Sequence, residues 1–181
     1  MTQTPGDADA PHHQGDREAH QRRQIAAISA RLNLTDQGLA ELLIDLGLDG
    51  RTCEALPFLP LVYVAWADGD VSADERAQLL RAAEAQGLDP DGDARAFLDD
   101  LLARRPADYF LTLSVQALRR IYELLPANEA TRAKEDLVAL ALENARASGG
   151  FLGLLGDPVC ADEHRTITEI IAALGLNTPP R

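Results

Sequence analysis

Apolar positions recur along most of this chain at the three-and-four spacing of an amphipathic helix, and the two-residue alternation of a half-buried strand is absent. In "TDQGLAELLIDLGL" the leucines at 39, 42, 43 and 46 share one face, with Thr35 placed to cap the first turn. "DGDARAFLDDLLARR" aligns Phe97, Leu98, Leu101 and Leu102. "PADYFLTLSVQALRRIYELLP" is bracketed by Pro106 and Pro126 and aligns Phe110, Leu113, Ala117, Ile121 and Leu124. "REAHQRRQIAAISARL" and "NEATRAKEDLVALALENARA" carry the same period, the second stopping at Ser148-Gly149-Gly150. "LPLVYVAWA" is apolar on every side, which predicts a buried helix with Pro60 in its first turn. "SADERAQLLRAAEAQGL" opens on Ser72 with Glu75 three residues later, a capping box, and Gly87 stands where that helix should end. "ADEHRTITEIIAALGL" places Ile167, Ile170, Ile171 and Leu174 on a final helix closed by Gly175. The pattern predicts an all-α protein, an irregular bundle of about eight helices with short links.

Composition narrows this picture. The hydrophobic fraction is 46%, mostly alanine and leucine, and aromatics are only 4%, a helix-forming and strand-poor mixture. At 181 residues the chain suits one domain with a real core. It divides into a polar tail over 1–20, a helical domain over 21–176 and a short tail over 177–181. "MTQTPGDADAPHHQGD" carries too little apolar surface to fold and is expected to be disordered, with His12, His13 and His20 solvated.

The formal net charge is -12 and the sequence pI about 4.6. Such a surface repels a phosphate backbone, so no nucleic-acid partner is expected, and the Arg22-Arg23, Arg104-Arg105 and Arg119-Arg120 pairs stand isolated. Cations and basic proteins are tolerated partners. The longest apolar stretch, 56–67, is too short to span a membrane and contains Pro57 and Pro60. No apolar leader opens the chain, so a cytoplasmic location is expected. Cys53 and Cys160 have no metal-ligand spacing and are expected to be buried free thiols.

One segment recurs. "VSADERAQLLRAAEAQGL", from Val71, aligns without a gap on "VCADEHRTITEIIAALGL", from Val159, and both end on Gly-Leu. Upstream, Ala67-Asp68-Gly69 meets Ala147-Ser148-Gly149, and the second copy carries an extra "FLGLLGDP". The chain is therefore expected to hold two pseudo-repeated halves. "AWADGDVSADER" followed by the Gly-Leu ending resembles the signature of the TerB-like domain, found in tellurite-resistance TerB proteins and in some membrane-anchored J-domain co-chaperones. The resemblance covers roughly 57–176, and its second half is degenerate. It implies an all-helical fold with two related halves, and a non-enzymatic role in tellurite and other stress responses through acidic surface, metal or partner contacts.

Within the motif, Asp68, Asp70 and Glu75 crowd the joint between two helices. Hard cations need several oxygens converging on one point, so the three carboxylates are a candidate site for calcium or magnesium. The site is not an EF-hand: counted from Asp68, Ala73 takes the glycine position and Leu79 the bidentate Glu position. "DPDGDARAFLDD" comes closer but has Ala94 at the glycine position, and its aspartates are expected instead to cap the next helix and to favour its N-terminus through the helix dipole. The other reading of Asp68, Asp70 and Glu75 is structural: a capped helix start with acids at the positive end of its dipole. In the second copy Ser148 and Gly150 replace Asp68 and Asp70, whereas Asp162 and Glu163 keep Asp74 and Glu75.

The Gly-rich insert supplies a second candidate. Phe151, Leu152, Leu154 and Leu155 either contact a partner protein or fold back over the bundle. No phosphate loop, nucleophile motif or base partner for Ser114 or Ser148 appears, Trp66 is expected in the core, and His164 is expected on the surface; no enzymatic activity is expected. The leading expectation is a non-enzymatic TerB-like stress-response protein with a divalent cation at the acidic turn. The alternative is a metal-free interaction or scaffold module using the acidic surface and the apolar insert.

Overall fold

The computed structural model describes residues 10–148 and 161–174, with side chains over 15–143 and 165–174. The described residues form eight α-helices and no strand: α1 Ala10–Leu32, α2 Gln37–Asp45, α3 Leu59–Ala65, α4 Ala73–Ala85, α5 Asp93–Ala103, α6 Asp108–Leu124, α7 Ala127–Ser148 and α8 Ala161–Ala173. A 3-10 segment, Cys53–Phe58, leads into α3. The all-α bundle is thus the observed fold.

The bundle is organised around α3. All seven of its residues are buried, as its uninterrupted apolar sequence requires, and α4, α5, α6, α7 and α8 all pack against it. Those neighbours are amphipathic and turn their apolar stripes inward: Leu79, Leu80 and Ala83 from α4, Leu98 and Leu102 from α5, Ile167, Ile170 and Ile171 from α8. Burial of a Leu or Ile side chain contributes about 1.5–3 kcal/mol, so this shared apolar centre rather than helix propensity holds the arrangement.

The repeat has a structural counterpart. α4 and α8 begin at aligned alanines, Ala73 and Ala161, and each runs 13 residues. Aligned Leu79 and Ile167 are both buried, as are Ala83 and Ile171, and both helices pack on α3 and α7.

Three local expectations differ from the structure. The tail expected over 1–20 is helical from Ala10 onward. Pro11 is tolerated in a first helical turn, and Arg17, Glu18, Ala19, Gln21, Arg22 and Arg23 are good helix formers although mostly solvated. Composition alone read this polarity as disorder. The cap of α2 is Asp36 rather than Thr35: its Oδ1 accepts the Leu39 N–H at 3.1 Å, and its Oδ2 accepts from Arg120 on α6 at 2.6 Å. A carboxylate thereby joins two helices where a threonine hydroxyl could not form an ion pair. The third concerns the aspartates before α5. Asp89 closes its own turn by accepting the Asp91 N–H at 3.1 Å, and the N-cap is Gly92, without a side-chain hydrogen bond; Asp93 does lie in the first turn of α5, where the helix dipole favours its charge as expected.

Candidate functional site

The acidic turn is built from α3 outward. α3 ends at Ala65 and the chain tightens: the Ala67 N–H donates to Val64 O at 3.2 Å and the Gly69 N–H to Trp66 O at 3.1 Å. Gly69 has φ +99, a region costly for any residue with a Cβ. Trp66 is half-buried rather than a full core residue. Its indole N–H donates to Leu101 O at 3.0 Å, satisfying one of the four carbonyls left open at the end of α5. The turn is thereby fastened to a second helix.

The three candidate carboxylates do not converge. Asp68 is exposed, and its Oδ1 accepts the Asp70 N–H at 3.3 Å, closing an Asx turn over Gly69. Asp70 is exposed and faces the neighbouring cleft. Glu75 is buried, at 5% exposure. Its Oε2 accepts the Ser72 N–H at 2.7 Å, while the Ser72 Oγ accepts the Glu75 N–H at 3.2 Å. This is the expected capping box, and it directs Glu75 to the start of α4 rather than to the turn. Among the described residues no group of three or more His, Cys, Asp or Glu side chains is placed to hold a metal ion.

Beside the turn, α4 and α5 form an open cleft of about 690 Å³, with Trp66 and Asp70 at one end. Two arginine–carboxylate pairs cross it. Arg76 donates from Nε and Nη2 to the two oxygens of Asp99 at 2.6 and 2.7 Å, a bidentate fork. Arg95 donates to Glu84 at 2.7 Å. The Arg76 hydrogen bonds hold the Asp99 carboxyl below the usual carboxylate range, and the same contacts raise Arg76. Arg81 also lines the cleft and enters no ion pair among the described residues. These partners lie 23 and 11 residues apart in sequence, so no local motif announced them; the only trace was the recurrence of Arg and Asp on the polar faces of α4 and α5.

The remaining candidates are quickly placed. Phe151, Leu152, Leu154 and Leu155 lie outside the described residues, as does Cys160, and the side chain of His164 is not described. Cys53 is buried and unbridged, and burial pushes its thiol up. Ser114 is fully buried and its hydroxyl donates to Leu111 O at 2.8 Å, a bond within its own helix. Tyr63 donates its hydroxyl to Ala107 O and stacks near Phe110, with burial pushing the phenol up to about 12. No helix of the described residues is long and apolar enough to cross a membrane.

No protein-family model, no curated protein and no solved structure matches this chain.

Proposed function

We propose that this chain is a non-enzymatic protein-interaction module of the TerB-like kind, working in a tellurite-type stress response and presenting its acidic turn to basic partner proteins. The observation that supports this over a cation site is the position of Glu75. Its carboxylate is committed to the capping box, which leaves Asp68 and Asp70 as the exposed charges of the turn. Two exposed carboxylates on a fastened turn suit a surface charge contact, whereas a calcium or magnesium shell needs several converging oxygens. The non-enzymatic reading is supported by the cleft next to it, whose Asp99, Glu84, Arg76 and Arg95 are consumed by pairing. The stress role rests on the resemblance of "AWADGDVSADER".

Partner capture from the native cell's extract tests this, comparing wild type with Asp68→Asn/Asp70→Asn. The expected result is a defined partner that the variant loses and that salt releases from wild type. Equal capture by both proteins would remove the turn from the reading. Calorimetric titration with calcium and magnesium decides the competing role: saturable binding to wild type and not to the variant would reinstate the cation site. Loss of the gene without a change in tellurite sensitivity would remove the stress role.

A further inference from the structure

Three of the chain's four histidines, His12, His13 and His20, fall close together in sequence. In a coil that spacing would scatter them. α1 is helical from Ala10 onward, and at 3.6 residues per turn positions 12, 13, 16 and 20 fall within about 100° of arc on one side of the helix. Asp16 is the hub of this stripe, one turn from His20 in one direction and one turn from positions 12 and 13 in the other. The stripe is open to solvent where its side chains are described. α1 packs on α2 and the 3-10 segment through its second half, where Ile28 is fully buried and Ile25 and Leu32 partly so. From Gly15 to Arg23 every residue but Ala19 is exposed. The α1 residues lining the cleft toward α2, among them Glu18, Gln21, Arg22 and Ile25, lie on the other side of the helix from Asp16 and His20. Asp16 and His20 enter no hydrogen bond or ion pair among the described residues.

We propose that α1 binds a divalent transition-metal ion of the zinc class at Asp16 and His20, with positions 12 and 13 supplying further imidazole one turn earlier. Register, ligand chemistry and the condition of the helix carry the proposal. Cβ atoms four residues apart on a helix are about 5–6 Å from each other. From there a carboxylate oxygen and an imidazole nitrogen can each come to about 2 Å from one ion. Solvent fills the remaining positions of such an open site. Mixed nitrogen and oxygen donors suit zinc, copper or nickel, whereas calcium and magnesium take oxygen. The site therefore differs from the acidic turn in place and in chemistry, and it does not rest on the interaction-module reading. The helix also gives the ion a task. Residues 15–23 include no large apolar side chain, and Gly15 costs a helix interior about 1 kcal/mol relative to alanine. A stretch of that kind is marginal in water without packing. An ion bridging successive turns ties the outer half of α1 together.

The test is calorimetric titration of the full chain with zinc chloride near neutral pH, with helicity followed by circular dichroism. Wild type is expected to bind zinc saturably and to gain helicity on binding, while magnesium does neither at this site. His20→Ala is expected to weaken zinc binding about tenfold, and Asp16→Ala about fivefold or more. The double variant His12→Ala/His13→Ala is expected to weaken it about fivefold. His164→Ala and Asp68→Asn/Asp70→Asn are expected to bind as wild type does. Asp16 and His20 are solvated, so their variants keep the core and the comparison does not depend on refolding. Absence of saturable binding would overturn the proposal. So would zinc binding that survives both Asp16→Ala and His20→Ala, since the ion would then sit elsewhere, on thiols or on scattered carboxylates. Equal loss in the acidic-turn variant would move the ion to that turn, and binding without a gain in helicity would remove the bridge between turns; each overturns the proposal. None of these outcomes bears on partner capture by Asp68 and Asp70, except the one that moves the ion to their turn.

Discussion

Glu75 is the residue on which the two readings of the acidic turn part. In the structure it is an acceptor for the Ser72 N–H at 2.7 Å, and it is buried. Truncation in Glu75→Ala removes a hydrogen bond to a charged acceptor, worth about 1.5–3 kcal/mol. It also leaves the Ser72 N–H unpartnered at a part-buried helix start. The expected loss is about 2 kcal/mol, which for a chain of this length lowers Tm by roughly 4–8 °C. Glu75→Gln keeps an amide oxygen within reach of the same N–H, as the capping-box pattern allows, and is expected to cost less than about 1 kcal/mol. Ser72→Ala removes the reciprocal acceptor and is expected to cost about 1 kcal/mol. Because both bonds close one ring of contacts, the double variant Ser72→Ala/Glu75→Ala should lose less than the sum of the single losses. Thermal and urea unfolding followed by circular dichroism measure all four. The reasoning fails if Glu75→Gln is as damaging as Glu75→Ala, or if calcium or magnesium raises the Tm of wild type and of neither variant. The first result would mean that the Glu75 charge rather than its acceptor oxygen holds the helix start; the second would make Glu75 a ligand rather than a cap.

Removing the indole N–H with Trp66→Phe opens the Leu101 carbonyl and should cost about 1 kcal/mol, a Tm drop of roughly 2–4 °C; an unchanged Tm would mean that the turn is not fastened through Trp66. Asp99→Asn breaks the bidentate pair with Arg76, and because both side chains are partly solvated (40% and 29% exposed) the expected loss at neutral pH is about 1 kcal/mol or less. The folded Asp99 carboxyl titrates below its usual value of 3.8, so its contribution is present above that value and disappears as pH falls through the lower folded value. Unfolding curves of wild type and Asp99→Asn should therefore converge only under strongly acidic conditions; convergence already near pH 6 would exclude the ion pair as the cause. Gly69→Ala meets nothing within 4 Å but must adopt φ +99, so about 1–2 kcal/mol of backbone strain is expected in the same melts.

Helix existence was legible because each helix hides one face, and a hidden face forces the three-and-four spacing. α3 was legible for the opposite reason: with no polar face, "LPLVYVA" had nowhere to go but the centre. The capping box at Ser72 and Glu75 was readable because both of its bonds lie within four residues of sequence. The helix caps of α2 and α5 were read less well. Thr35 and Asp36 are both competent caps locally, and the choice of Asp36 reflects Arg120, 84 residues away. The same limit applies to the cleft pairs Arg76–Asp99 and Arg95–Glu84, which depend on how α4 lies on α5. The candidate cation site illustrates the limit most directly. Proximity in sequence put Asp68, Asp70 and Glu75 together, but a helix start turns the third residue of its first turn back toward its own cap.

The comparison of the two copies gains force from that geometry. Asp74 and Glu75 recur as Asp162 and Glu163, and in the first copy Glu75 stabilises the helix start by a mechanism that needs no ligand. Asp68 and Asp70 do not recur. Asp68 still has a local task, closing the turn over Gly69 through the Asp70 N–H, and asparagine, whose side-chain oxygen accepts the same bond, would perform it equally well. The Asp70 carboxylate accepts no hydrogen bond among the described residues. An exposed charge that bonds to nothing in the fold and lines the α4–α5 cleft is where the partner contact proposed above would act. That is why Asp68→Asn/Asp70→Asn, conservative for the turn and severe for its charge, is the variant that separates folding from function.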